Sequence, residues 1–254
     1  MADRPAGTPT SREIAAELRA AIVAGDYGPG DQLPSQPELT RRYRVADKTV
    51  QRAIDLLRSE GLITGRVGRG TFVRPRPAKV RRLVDDLLEA APRAGFYAAL
   101  DRYGLEAEVR TTVSWEVPPS WAAAELGTDS DAEVLVRDRV MGVAGQPPLQ
   151  LATSYIPRDI TERAPQLTEE STGSGGMLAR LREAGYVLRF EVVANSRMPT
   201  PEEARRMGLE PGTPLDTHLR LTADQASGRV LDCMLVLSDS SRVEWCYRFG
   251  PEPA

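Results

Sequence analysis

The apolar residues of this chain keep two rhythms, helical near the amino terminus and alternating over most of the remainder. Ile14, Leu18, Ala21 and Ile22 share one side of a helix that Thr10 and Glu13 open as a capping box and Gly25 ends. A turn at Tyr27-Gly28-Pro29-Gly30 leads to a second box, Ser35 with Glu38, and a short helix running to about Tyr43. Pro37 is tolerated there because first-turn N–H groups have no helical acceptor. After a break at Arg44-Val45-Ala46, a third helix is predicted from Asp47 to Glu60, with Val50, Ala53, Ile54 and Leu57 on one face and Gly61 as its stop. Two β-prone triplets, Leu62-Ile63-Thr64 and Thr71-Phe72-Val73, then flank the basic turn Gly65-Arg66-Val67-Gly68-Arg69-Gly70, the pattern of a hairpin.

Short helices joined by a tight turn have the helix-turn-helix layout, in which the later helix presents its first turns to the major groove. Asp47, Lys48, Thr49, Gln51 and Arg52 lie off the apolar stripe of the third helix. Gln51 suits adenine, and Lys48 or Arg52 suits guanine or phosphate. A glycine-rich hairpin tip lets backbone approach DNA closely, with Arg66 and Arg69 beside it. Candidate DNA contacts are therefore Arg42, Lys48, Thr49, Gln51, Arg52, Arg66, Gly68 and Arg69. The alternative is a plain folding module whose arginines form a solvated face.

The stretch Arg74-Pro75-Arg76-Pro77-Ala78-Lys79 reads as a semi-rigid basic linker. Val80, Leu83, Val84, Leu87 and Leu88 follow at helical spacing, as a connecting helix over 80–91 or part of a dimer contact. The expected divisions are residues 8–74, a linker and connecting helix over 75–94, and a second domain over 95–250. In that domain, strands are predicted at Val109–Val117, Val134–Val143, Leu149–Ile156, Tyr186–Ser196, Leu215–Ala223 and Val230–Leu237. Helices are predicted at Trp121–Leu126, Met177–Ala184 and Glu202–Met207, the last opened by Thr200 and Glu203. Hairpin-like turns between several strands indicate an α+β domain with a largely antiparallel sheet.

Composition narrows the chemistry. The 254 residues, 41% of them apolar, can bury a proper core, most simply as two domains. Residues 1–80 carry a formal charge of +5 within a chain of net −3, so a basic head sits on an acidic body and only the head is suited to a polyanion. His218 is the sole histidine, which disfavours multi-histidine metal sites and Ser-His-Asp triads. Lys48 and Lys79 are the only lysines, so nothing later can form a Schiff base. Cys233 and Cys246 give neither a disulfide framework nor metal-ligand spacing. With no signal-like or membrane-spanning apolar run, a cytoplasmic protein without cofactor or metal is expected.

The amino-terminal stretch resembles the GntR family of regulators. The resemblance is carried by Tyr27-Gly28-Pro29-Gly30, Leu33-Pro34-Ser35, Glu38-Leu39, Thr49-Val50, Glu60-Gly61-Leu62-Ile63 and Gly68-Arg69-Gly70-Thr71-Phe72-Val73. It departs from the family at Pro37 and Gln51, where relatives often have arginine, and at Arg44 to Thr49, where they often read Gly-Val-Ser-Arg-Thr-Thr. Base preference is therefore not transferable. The later part resembles the UTRA effector domain of the HutC subfamily, through Arg137 and Arg139, Thr153-Ser154-Tyr155-Ile156-Pro157, Gly175-Gly176, Met198-Pro199-Thr200-Pro201 and Gly212-Thr213-Pro214. That resemblance implies a chorismate-lyase-like fold around a pocket for a small, often anionic, metabolite.

Strand alternation puts Arg137 and Arg139 on one face, and the resemblance implies that they hold a carboxylate or phosphate. An exposed pair balanced by Asp138 or Glu133 is the alternative. Gly176 stands at a helix start suited to an anion, while Asp232 is either a ligand acceptor or a companion of Arg229. Ser154, Glu191 and Ser238 complete the candidate effector contacts. Relatives that bind sugar phosphates tend to have serine, tyrosine and glutamate at the positions of Gly176, Leu178 and Ala152, so a less hydroxylated effector is expected. His218 is expected to be structural. The expected protein is a homodimeric repressor on an inverted-repeat operator, released by its effector. An enzyme of the lyase type fused to a DNA-binding head, or a ligand-independent DNA-binding protein, are the alternatives.

Overall fold

The computed structural model describes residues 8–66, 68–75, 79–83 and 95–247. The chain divides into two compact units, residues 1–77 with 209–213 and residues 78–208 with 214–254.

The first unit is three helices and a hairpin. Helix α1 spans Ser11–Ala24, α2 Gln36–Tyr43 and α3 Asp47–Ser59; strands β1 (Ile63–Arg66) and β2 (Gly70–Val73) pair antiparallel. The Thr10 hydroxyl accepts from the Glu13 N–H while the Glu13 carboxylate accepts from the Thr10 N–H, which satisfies two end groups of α1. Glu38 likewise accepts from the backbone N–H and the hydroxyl of Ser35 ahead of α2. Ile14 and Leu18 of α1 meet Val50, Ala53, Ile54 and Leu57 of α3, and Leu39, Ile63 and Val73 close the core. Each large side chain so buried contributes about 1.5–3 kcal/mol of transfer free energy. The turn between α2 and α3 holds Arg44 in the left-handed region at φ 52°, an uncommon state for a residue with a Cβ.

The second unit is built on a six-stranded antiparallel sheet in the order β4-β5-β6-β9-β8-β7. Its strands are β4 (Ala107–Glu116), β5 (Val134–Val143), β6 (Gln150–Ile156), β7 (Leu188–Arg197), β8 (Leu215–Asp224) and β9 (Val230–Asp239). Helices α4 (Phe96–Asp101), α5 (Ser120–Leu126), α6 (Arg158–Arg163), α7 (Gly176–Glu183) and α8 (Pro201–Met207), with a 3-10 turn at Pro165–Thr168, surround it. The expectation of a helix over 80–91 is corrected at its start: Val80–Leu83 is a strand, β3, running parallel to β10 (Val243–Cys246). Val80 and Arg82 are both buried, and that alternation decides for a strand where a four-residue run fits either period. Val84, Leu87 and Leu88 lie outside the described residues.

One face of the sheet carries two separate apolar clusters. Val80, Phe96 and Leu100 pack with Met141, Leu149 and Val236 at one end. Ile160, Leu167, Met177 and Leu181 pack with Leu135 and Ile156 at the other. Helix α5 covers the opposite face through Ala122 and Leu126 against Val134, Val136 and Cys233.

Candidate nucleic-acid interface and ligand cavity

On the first unit, burying one stripe of α3 leaves Lys48 and Arg52 exposed and Thr49 and Gln51 half-buried on its other sides. The Thr40 hydroxyl donates to Asp47 across 2.8 Å, tying α2 to the first residue of α3. Gln51 is already engaged: its amide oxygen accepts from Gln36 at 2.6 Å and its nitrogen donates to Asp55 at 3.0 Å. Arg42 is placed differently from the rest, its guanidinium turned to Glu17 of α1 at 2.9 Å. In the hairpin, the Arg69 N–H bonds the Arg66 carbonyl at 2.9 Å and Gly68 and Gly70 take positive φ, a turn that glycine makes without strain. The Arg66 guanidinium lies 4.7 Å from the Phe72 ring centre, and Arg66 and Arg69 are exposed. Lys48, Arg52, Arg66 and Arg69 thus remain cations in water, the state in which phosphate replaces counterions.

In the second unit, a cavity of about 590 Å³ opens on the sheet between the two apolar clusters. Ala152, Met234 and Val236 form its floor, Phe96 and Met177 stand on opposite sides, and Arg82, Arg137, Arg139 and Arg220 bring positive charge to it. The size suits a small metabolite.

Arg137 and Arg139 do share the cavity face, and the exposed alternative is corrected: Arg137 is 4% exposed, while Asp138 points elsewhere to Arg206 and Thr153. The two arginines differ in what they have left to offer. Arg137 donates to the carbonyls of Leu167 and Glu169 and, at 2.9 Å, of Glu170, so its fork anchors the segment entering the cavity rim. Arg139 donates to Ser154 Oγ at 3.0 Å and to the weak acceptor Met234 Sδ at 3.1 Å, and its Nε is enclosed without a hydrogen bond. Burial, with Arg220 and Arg137 nearby, pulls the Arg139 pKa down to about 10 against the opposing pull of Asp232. An anion at Arg139 would relieve that unfavourable charge.

Gly175 and Gly176 line the cavity at the start of α7 with φ 79° and 64°, and Gly173 beside them has φ 74°. The space at Gly176 would admit a Cβ, but its backbone conformation strains any residue other than glycine. Ala152 and Leu178 also line the cavity, so together with Gly176 these three positions present no side-chain hydrogen-bonding group to it.

Four other candidates fall elsewhere. Asp232 is fully buried and paired with Arg220 at 2.6 Å, also accepting from Thr222, whereas Arg229 pairs with Asp159. It is Arg220 that reaches the cavity wall, so a polarity expected to be acidic is basic. Glu191 is exposed on β7 and stands in register with Leu221 and Cys233, on the opposite face from Arg220 and Met234. Ser238 is buried beside Gln150 in register, and Ser154 lies beneath Arg139, neither on the cavity wall. Sequence reasoning missed Arg220 and Arg82. The turn at Ala226 to Arg229 sets Thr222 opposite Asp232, from which Arg220 follows as the same-face diagonal neighbour. Arg82, held by Gln150 at 2.6 Å and packed between Phe96 and Trp245, was hidden in the presumed helix.

His218 is 2% exposed; its Nε2 meets the Tyr247 hydroxyl at 2.7 Å and its ring packs 4.1 Å from Trp245. It stands outside the cavity wall. Among the described residues no cluster of three or more His, Cys, Asp or Glu could hold a metal, and no helix is long and apolar enough to cross a membrane.

Comparison with known proteins gives a consistent result for both units. Residues 10–73 match the family model of bacterial regulatory proteins of the gntR family, and residues 102–244 match that of the UTRA domain. The sequence is 32% identical over 253 residues to the HTH-type transcriptional regulator SCO4628 of Streptomyces coelicolor, covering 95% of this chain and 93% of that one. A regulator of Rhizobium meliloti, RB1450, is 29% identical over 217 residues and 84% of each chain. PhnF from Mycobacterium smegmatis is similar in structure, with a TM-score of 0.55 at 25% identity over 94% of this chain and all of that one. The crystal structure of a GntR-family regulator reaches a TM-score of 0.68 at 24% identity over 96% of this chain and 98% of that one, a likeness of fold.

Proposed function

The chain belongs to the GntR family of bacterial regulatory proteins, a DNA-binding transcriptional regulator with a UTRA effector domain, and from that premise we propose that it is a homodimeric cytoplasmic repressor of the HutC type, released from an inverted-repeat operator by a small anionic metabolite. The observation that carries the ligand's charge is Arg139, a desolvated cation at the cavity with no ion pair among the described residues. An acidic group there accepts guanidinium hydrogen bonds and offsets the cost of burying that charge. The N–H groups at the start of α7 supply a second set of donors. The carbon skeleton meets Ala152, Leu178 and Val236 instead of hydroxyl-seeking side chains, which favours an effector poorer in hydroxyls than an amino-sugar phosphate.

At the head, Lys48, Arg52, Arg66 and Arg69 supply phosphate contacts and Gln51 a base contact, while Arg42 serves the internal pair with Glu17. Repression is relieved if the effector binds the DNA-free state more tightly than the bound one, since equal affinity would shift nothing. His218 stands outside the cavity wall, and the carboxylate of buried Asp232 is turned to Arg220, so we read the cavity as a binding site and not a catalytic one.

A gel-shift titration tests this reading. With the duplex upstream of its own gene, the full-length protein should form a complex that a carboxylate- or phosphate-bearing metabolite dissolves. Release by hexosamine phosphates in preference to less hydroxylated anions would reverse the ligand assignment, and turnover of the releasing compound would reverse the non-catalytic one.

A further inference from the structure

The amide of Gln51 is oriented by a chain of groups whose direction is set by chemistry. On α3, Arg58 donates to Asp55 at 2.8 Å, and Gln51 Nε2 donates to the same carboxylate oxygen at 3.0 Å. These are i,i+3 and i,i+4 neighbours on one helical face. An ionised carboxylate only accepts, so Asp55 must face the nitrogen end of the Gln51 amide, and the oxygen end is thereby turned to α2. There Gln36, the first residue of α2, donates its Nε2 to Gln51 Oε1 at 2.6 Å. Each end of a primary amide can make two hydrogen bonds, so Gln51 keeps one donor and one acceptor in fixed order.

We infer that Gln36, acting with Asp55 and Arg58, is a specificity-positioning residue that locks the Gln51 amide in one flip for reading a single base pair. The inference rests on the reading of α3 as the helix that enters the groove. A bidentate amide contact to adenine needs a donor and an acceptor in one order, and an unrestrained glutamine presents both orders. Gln36 itself touches no base; it removes the wrong orientation before DNA arrives, and it belongs to α2, outside the helix from which specificity is ordinarily sought.

The test is selection of duplexes from a pool with a randomised central tract by the full-length protein, comparing wild type, Gln51→Ala, Gln36→Met and Asp55→Ala. Methionine keeps the length of Gln36 without its donor. Wild type should favour one base pair per half-site at the Gln51 position by about tenfold or more. All three variants should flatten that same position to within about threefold. Gln36→Met should leave the other positions, the salt dependence of binding and the melting temperature as in wild type. Loss of preference in Gln51→Ala with wild-type selection in both Gln36→Met and Asp55→Ala overturns the positioning role and leaves the groove reading intact. An unchanged motif in Gln51→Ala removes Gln51 from base reading and the positioning role with it. A Gln36→Met protein weakened evenly at every position would show a packing role only, and likewise overturns the inference.

Discussion

Glu17 with Arg42 and Asp232 with Arg220 are the same chemical pair in opposite surroundings. The first joins two helices of the DNA-binding head with both side chains 53% exposed, and the second joins two strands of the effector domain with side chains 4% and 0% exposed. The head keeps its charges in water, where each is worth little to the fold and remains available to exchange ions for phosphate. Around its cavity the effector domain takes charges out of water, where each must be answered by a neighbour or a ligand. Arg220 is answered by Asp232; Arg139 has a hydroxyl and a thioether. That difference is the ground on which Arg139, and not Arg220, is proposed as the anion contact.

The largest effect should come from breaking the buried pair. Asp232→Ala leaves Arg220 without its carboxylate and should destabilise the effector domain by about 3–5 kcal/mol in urea unfolding; a loss under 1 kcal/mol would mean that the pair is effectively solvated. Next comes His218, whose burial holds its pKa down to about 4, with Asp216 opposing and Arg82 assisting. The unfolded chain therefore takes up its proton first: stability is intact above about pH 6.5 and falls as pH drops towards 4. His218→Phe should abolish up to about 3 kcal/mol of that pH dependence, read as the wild-type-minus-variant difference in unfolding free energy at pH 7 and pH 4.5. A parallel decline in both proteins would contradict it. In the head the effects shrink. Arg44→Gly relieves a left-handed residue and should raise stability by about 1 kcal/mol, visible as a higher melting temperature. Glu17→Gln should change stability by less than about 0.5 kcal/mol, and a larger loss would erase the contrast between the two regions.

The elements that could be read along the chain are those with local end signals. Thr10 with Glu13, Ser35 with Glu38 and Thr200 with Glu203 all open helices where expected, and β5 runs from Val134 to Val143 as the alternation indicated. The failures are non-local. Strand β3 is four residues long and is stabilised by parallel pairing with β10, far away in sequence, so nothing beside it distinguishes strand from helix. Short α4 and α6 likewise passed unrecognised, as did β10. The cavity was legible in part: Arg137, Arg139 and Gly176 line it because strand period and a glycine pair are local properties. Asp232 is a ligand acceptor or a companion of Arg229 on a reading of the sequence alone, whereas the sheet register pairs it with Arg220. Glu191 was chosen for its chemistry without its phase on β7, and the phase sends it to the other face.

A ligand site at Arg139 is tested by fluorescence anisotropy of a labelled duplex from the gene's own upstream region, titrated with wild-type protein and Arg139→Met. A panel of sugar phosphates, phosphonates and dicarboxylates is added in turn. At least one anion should weaken wild-type binding about tenfold, a coupling of about 1.4 kcal/mol, and should leave Arg139→Met bound to DNA with unchanged affinity. Anions that release both proteins equally would be acting as salt on the head, and that result would contradict a ligand site at Arg139.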